Sequence, residues 1–143
     1  MKRRLAVVAA AVVFVAVAIV VARWLQADNA ERAKIERLLA AQGRGDVAAM
    51  TREIDGCDAR CRASLRRLAG RLERAGDLEI VRYDSQTARA TGPTRGRARV
   101  VWRIAPGLPT VQCVGVRRKG SALSGPRVTL TALSEPIARE GAC

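Results

Sequence analysis

The sequence predicts an α+β protein: an N-terminal transmembrane helix, then two to three helices packed on a curved antiparallel sheet of about four strands. Three observations lead there. Residues 5–22 contain no charged or polar side chain. Apolar residues then recur at three-four spacing as far as Leu72, the period of a helix. After Gly76-Asp77 they alternate, in short stretches divided by glycine and proline, as strands and turns do.

The apolar run comes first. About 18 such residues suffice to cross a bilayer, where only a helix satisfies its own backbone. Residues 1–4 form a basic stub (Lys2, Arg3, Arg4) that holds the N-terminus in the cytoplasm. Residues 23–27 are juxtamembrane, with Trp24 suited to the lipid–water boundary, and residues 28–143 make the domain outside. The competing reading is a signal peptide cut after Val20-Val21-Ala22, although the run exceeds the ~7–15 residues of such an h-region. Either reading exports the domain. All four cysteines, Cys57, Cys61, Cys113 and Cys143, lie in the exported part. An even number in an oxidising compartment predicts two disulfides.

The domain elements follow in order. Asp28-Asn29-Ala30-Glu31 has the spacing of a capping box, predicting a helix start there, and Ile35, Leu38, Leu39 and Gln42 share one face of that helix. Gly43-Arg44-Gly45-Asp46 reads as a turn, Gly43 closing one helix and Asp46 capping the next. Val47, Met50 and Ile54 mark a short second helix. A third starts near Asp58, with Cys61, Leu65, Leu68, Leu72 and Ala75 on one face, and ends at Gly76-Asp77. Strands are predicted within 78–90, around Val100, Trp102 and Ile104, at 110–118 and at 127–133; glycine- and arginine-rich 89–99 reads as a mobile loop.

This order, with Ile-Glu-Arg-Leu-Leu-Ala-Ala in the first helix and Gly45-Asp46-Val47-Ala48-Ala49-Met50 at the turn, resembles the nuclear-transport-factor-2-like (cystatin-like fold) superfamily. The resemblance covers roughly residues 28–133, with 110–120 similar to a long central strand. It implies a curved sheet wrapped on a long helix around a conical cavity. Its members include small-molecule binders, isomerases and dehydratases, and non-enzymatic assembly domains. Membrane-anchored versions in bacterial envelope machinery, such as type IV secretion subunits and proteins associated with mammalian-cell-entry transporters, are similar in architecture.

The chain has no histidine, which removes histidine-based triads, metal sites and the usual general base near neutral pH. The acid/base pair that the resemblance implies shrinks to Tyr83, Asp84 and Glu79. On alternation Tyr83 shares a face with Val81 and points into the cavity, though as a core residue before a catalytic one. Cys57-Asp-Ala-Arg-Cys61 fits a redox pair or a copper(I) site, but a plain disulfide is preferred, with Cys57 just outside the helix. Of three pairings, Cys57–Cys61 with Cys113–Cys143 is favoured, and a Cys61–Cys113 helix-to-sheet bond is the alternative.

Net charge is +13, almost all from arginine. A coding bias toward Ala, Arg, Val and Gly explains it; so does a polyanionic neighbour. Arg95, Arg97 and Arg99 with Arg117, Arg118 and Lys119 form one basic patch if two hairpin ends are close. Few aromatics stand beside them, which argues against specific nucleic-acid binding. No catalytic residue, metal ligand or cofactor is assigned. The expectation is a non-enzymatic, membrane-tethered extracytoplasmic domain that binds an envelope protein or small ligand. A module for anionic lipid or cell-wall polymer is the alternative, and an isomerase-like or hydratase-like cavity enzyme a distant third.

Overall fold

One unbroken helix carries the chain from its N-terminal apolar segment into the core of the domain. The structure, a computed structural model, describes residues 2–87, 93–120 and 127–143, with only the backbone of Lys2, Arg3, Leu5, Arg23 and Trp24. The Trp24 ring, the 89–92 part of the expected loop and the Gly125-Pro126 turn therefore lie outside the described residues. Helix α1 (Lys2–Gly43) is 42 residues long, or about 63 Å. Its first half is long and apolar enough to cross a membrane, with a mean hydropathy of 2.7 over its most apolar stretch and nothing packed on it.

The expected helix start at Asp28 is absent. Asp28 and Glu31 lie inside α1, and their three-residue spacing puts both on one helical face, turned toward the sheet. From Ala27 onward that face is buried: Ile35, Leu38, Leu39 and Gln42 are each fully enclosed.

α1 closes with the Asp46 amide bonded to the Ala41 carbonyl at 2.9 Å and the Gly45 amide to that of Gln42 at 3.0 Å, a Schellman arrangement. The left-handed residue is Gly45, with φ of 70°, and not Gly43. Gly43 serves by its missing side chain: a Cβ there would lie 2.8 Å from Ile104 Cδ1. Asp46 caps α2 (Val47–Glu53) by accepting from the Ala49 amide, and Asp58 caps α3 (Ala59–Leu72) by accepting from Cys61. α3 ends at Leu72 and not at Gly76-Asp77, and Ala75 is exposed.

Strands β1 (Leu78–Ser85), β2 (Thr94–Ile104), β3 (Thr110–Lys119) and β4 (Arg127–Leu133) form an open antiparallel meander in that order. Its inner face packs on the helices: Val100, Trp102, Val114, Val116 and Leu130 meet Ile35, Leu38, Leu39, Met50 and Leu65 in one core. The strand predicted within 78–90 stops at Ser85, and residues 94–99, expected in a loop, are strand. Their arginines alternate outward while Gly96, Ala98 and Val100 face in. Gly96 is required there, because a Cβ would approach Thr87 Cα to 2.5 Å. Past β4 the tail continues antiparallel along β3, with the Ser134 amide on the Cys113 carbonyl and the Ile137 amide on that of Val111, both at 2.8 Å.

The chain direction fixes two ends. α1 enters beside Ser85, Thr94 and Arg118 and finishes beside Ile104 and Arg74. The near end, next to the apolar segment, thus holds the last residues of β1 and β3 and the first of β2 and β4.

Candidate functional site

A buried charge cluster closes the core at the near end. Glu31, fully enclosed in α1, accepts on one carboxylate oxygen from the Tyr83 hydroxyl at 2.5 Å and from Ser85 Oγ at 2.8 Å. Its other oxygen faces Arg118 Nε at 2.7 Å and Nη2 at 2.6 Å. Asp28 Oδ1 takes Arg118 Nη2 at 2.7 Å. Burying a charge is tolerable only when it is paired and hydrogen-bonded, and both oxygens of Glu31 are loaded. Burial works against the charge on Arg118, but the hydrogen bonds and charges of Glu31 and Asp28 outweigh it and hold the guanidinium above its ordinary value. Burial first, then the bond to Glu31 and its charge, push the Tyr83 hydroxyl well above its ordinary 10.0. Tyr83 is thereby kept protonated, as a donor.

Beside the cluster opens a pocket of about 330 Å³ lined by Asp28, Asn29, Arg32, Tyr83, Ser85 and Thr87. Its volume falls at the lower end of small-molecule sites, about 300–1,000 Å³. The hydroxyls of Tyr83 and Ser85 are turned away onto Glu31, and Thr87 Oγ1 is buried without a hydrogen bond among the described residues. Arg32 has no ion pair among the described residues and supplies the free charge. The remainder of the space between α1 and the sheet is filled by the apolar core. Among the described residues no group of three or more His, Cys, Asp or Glu is placed to hold a metal ion. A cleft of about 100 Å³ at the opposite end lies between Leu72, Trp102 and the Gly107-Leu108-Pro109 turn.

The sequence-predicted residues divide. Tyr83 does point inward, but Val81 does not share its face: a bulge between Ile80 and Arg82 sets Val81 outward, 53% exposed. Asp84 is on the outer face, bound to Arg82 at 2.8 Å and near Arg99 at 4.0 Å, so it is not a cavity residue. Glu79 is also outside, paired with Arg103. Cys57 and Cys61 are joined, with Cys57 just ahead of the Asp58 cap, and Cys113 is joined to Cys143; the Cys61–Cys113 alternative does not form.

The six-residue basic patch is not one surface. Arg118 belongs to the inner face, where strand alternation from Val114 and Val116 carries it. Arg97 and Arg99 clasp the C-terminal tail, donating to the carbonyls of Cys143 and of Arg139 and Gly141. Arg117 faces Asp55 at 3.7 Å. Arg95 and Lys119 remain exposed without an ion pair among the described residues. The residues that sequence reasoning missed, Asp28, Glu31, Ser85 and Arg32, carried one usable signal: Arg118 sits two residues past Val116 in an alternating strand and therefore needs a buried acid. No protein-family model matches this chain, and neither does any curated protein or solved structure.

Proposed function

We propose that this chain is a single-pass protein of the bacterial cell envelope, N-terminus cytoplasmic, whose extracytoplasmic domain is a non-enzymatic binding or assembly module for another envelope protein. The observation that supports it most is the continuity of α1, in which the apolar segment and the helix that organises the domain core are one element. A leader destined for removal has no need to be built into the scaffold, whereas an anchor that sets the position of a domain does. The basic stub ahead of the apolar run gives the orientation, and two joined cysteine pairs suit an oxidising compartment.

The non-enzymatic part rests on how the polar groups are used. Glu31, Tyr83, Ser85 and Arg118 satisfy one another, so these polar groups are committed to holding the fold and not turned toward the pocket. The nuclear-transport-factor-2-like assignment stands as a proposal supported by the order of helices and sheet.

The test is made in cells producing the full chain with a C-terminal tag. Alkaline extraction should leave the chain in the membrane, and protease added outside the cytoplasmic membrane should remove the tag. Purification in mild detergent should then retain a stoichiometric protein through a high-salt wash. A chain released by alkali, or a tag protected until the cytoplasm is opened, would overturn the topology. A chain of correct topology with no salt-resistant partner would overturn the assembly role.

A further inference from the structure

We infer that the near end of the domain is a docking surface for anionic phospholipid headgroups of the bilayer that holds α1, through Arg32, Arg95, Lys119 and Arg127. The inference rests on the membrane-anchor reading above. Four observations carry it.

The first is height. Only five residues, 23–27, lie between Ala22, the last of the apolar run, and Asp28 at the domain mouth, a rise of about 9 Å over six steps of an unbroken helix. The headgroup layer on each side of the hydrocarbon is about 5–8 Å deep. A domain on this stem stands against the headgroups, with no linker to lift it away.

The second is placement. Arg95 is the second residue of β2, Lys119 ends β3 and Arg127 begins β4, so all three are at the end that faces the bilayer. Arg32 lies one turn beyond Asp28, farther from the apolar run, but side chains on a helix lean toward its N-terminus, here toward the lipid. The cations thus stand on both the sheet layer and the helix layer of the same rim.

The third is that these charges are left over. All four are exposed, and none has an ion pair among the described residues. Cross-strand register even sets Lys119 opposite Arg127, a like-charge arrangement that is destabilising, while Arg95 stands opposite Arg117, which has Asp55 for a partner. The carboxylates of the buried cluster at this end, Asp28 and Glu31, are both engaged by Arg118.

The fourth is the surrounding sequence. No acidic residue occurs in 23–27, 86–96 or 119–127, so the segments of chain next to these cations add no negative charge, and Asp28 is paired with Arg118. The other arginines of the sheet are held by the tail or by acids, as Arg97, Arg99 and Arg103 are.

The experiment uses the full chain reconstituted in phosphatidylcholine vesicles with a minority of phosphatidylglycerol. Spin-labelled forms of each lipid report their relative association with the protein. Three proteins are compared: wild type; R32Q/R95Q/K119Q/R127Q; and R44Q/R66Q/R67Q/R74Q, which removes four cations from the end of α1 and from the α3 side. The N-terminal stub and Arg23 are common to all three and cancel. A contact between one cation and an anionic surface is worth about fivefold at low salt. Averaged over the boundary lipids, the preference for phosphatidylglycerol should fall by about twofold or more in the near-end variant. It should hold in the control variant, and it should weaken for wild type at high salt. An equal preference in both variants, with protein-restricted lipid clearly present, overturns the docking surface and leaves the anchor standing. Absence of any restricted lipid overturns the anchor itself.

Discussion

Glu31 shows how one buried carboxylate organises a site. Its side chain is fully enclosed, yet it binds residues from β1 and β3 at once. Removing one partner of such a pair leaves the other charge buried and costs about 3–5 kcal/mol. Glu31→Ala should therefore lower stability by about that much in urea unfolding of the full chain in mild detergent. A Glu31→Leu/Arg118→Met double variant should recover most of the loss, because replacing a whole buried pair by apolar groups is close to neutral. A double variant as unstable as the single one would mean that the cluster contributes more than mutual compensation. Tyr83 makes a separate prediction. Its folded value is raised above the ordinary 10.0, so the unfolded chain loses the phenol proton first, and stability falls as pH rises past about 10. Below that pH the contribution is fully present. Tyr83→Phe should flatten the alkaline slope relative to wild type, as read from unfolding midpoints taken across that range. Reading this cluster from sequence was hard because Arg118 is flanked by Arg117 and Lys119, and three consecutive cations look like a solvated run until strand alternation is applied.

At the scale of elements, the third and fourth strands and the caps at Asp46 and Asp58 were legible, because short-range chemistry decides them. Two features were not. A capping box and a pair of acids on one helical face share the same three-residue spacing, so Asp28 and Glu31 marked a helix start on local grounds while Arg118, 87 residues from Glu31, used them mid-helix. The bulge at Val81 is invisible to alternation, since an inserted residue shifts the face without altering the composition of the strand. The tail is held less by secondary structure than by a covalent bond and arginine donors, and that difference is measurable. Cys113–Cys143 closes a separation of 30 residues and Cys57–Cys61 one of 4. Chain-entropy arguments then give about 4 kcal/mol for the first and about 2 kcal/mol for the second. Cys113→Ser/Cys143→Ser should accordingly lower the unfolding midpoint about twice as far as Cys57→Ser/Cys61→Ser. It should also free the 134–143 tail to protease while the rest of the domain resists. Equal effects would show that local strain or capping outweighs loop length here.

For the whole molecule, the decisive property is that the apolar segment and the domain share a helix. A chain joined by a loop would let the domain tumble relative to the apolar segment, whereas α1 joins the two without a break. Sequence composition located the apolar run and the domain but put a boundary between them, because helical continuity across 23–30 depends on packing that, among the described side chains, starts at Ala27. Leu25 lies in the short stem between the two and is 60% exposed, so a substitution there touches the coupling and not the core. Leu25→Pro removes one backbone hydrogen bond and clashes with the preceding turn, at about 3 kcal/mol or more within a helix. The stem should kink while the domain, whose buried contacts lie beyond it, keeps its fold. In oriented bilayers, wild-type amide dichroism should report the helix of the domain aligned with the apolar segment. The proline variant should lose that alignment with an unchanged urea midpoint. Unchanged dichroism would mean that the domain is held by surface contacts alone and that the stem does not set its position. A lowered midpoint would mean that the folding unit extends further toward the membrane than Ala27.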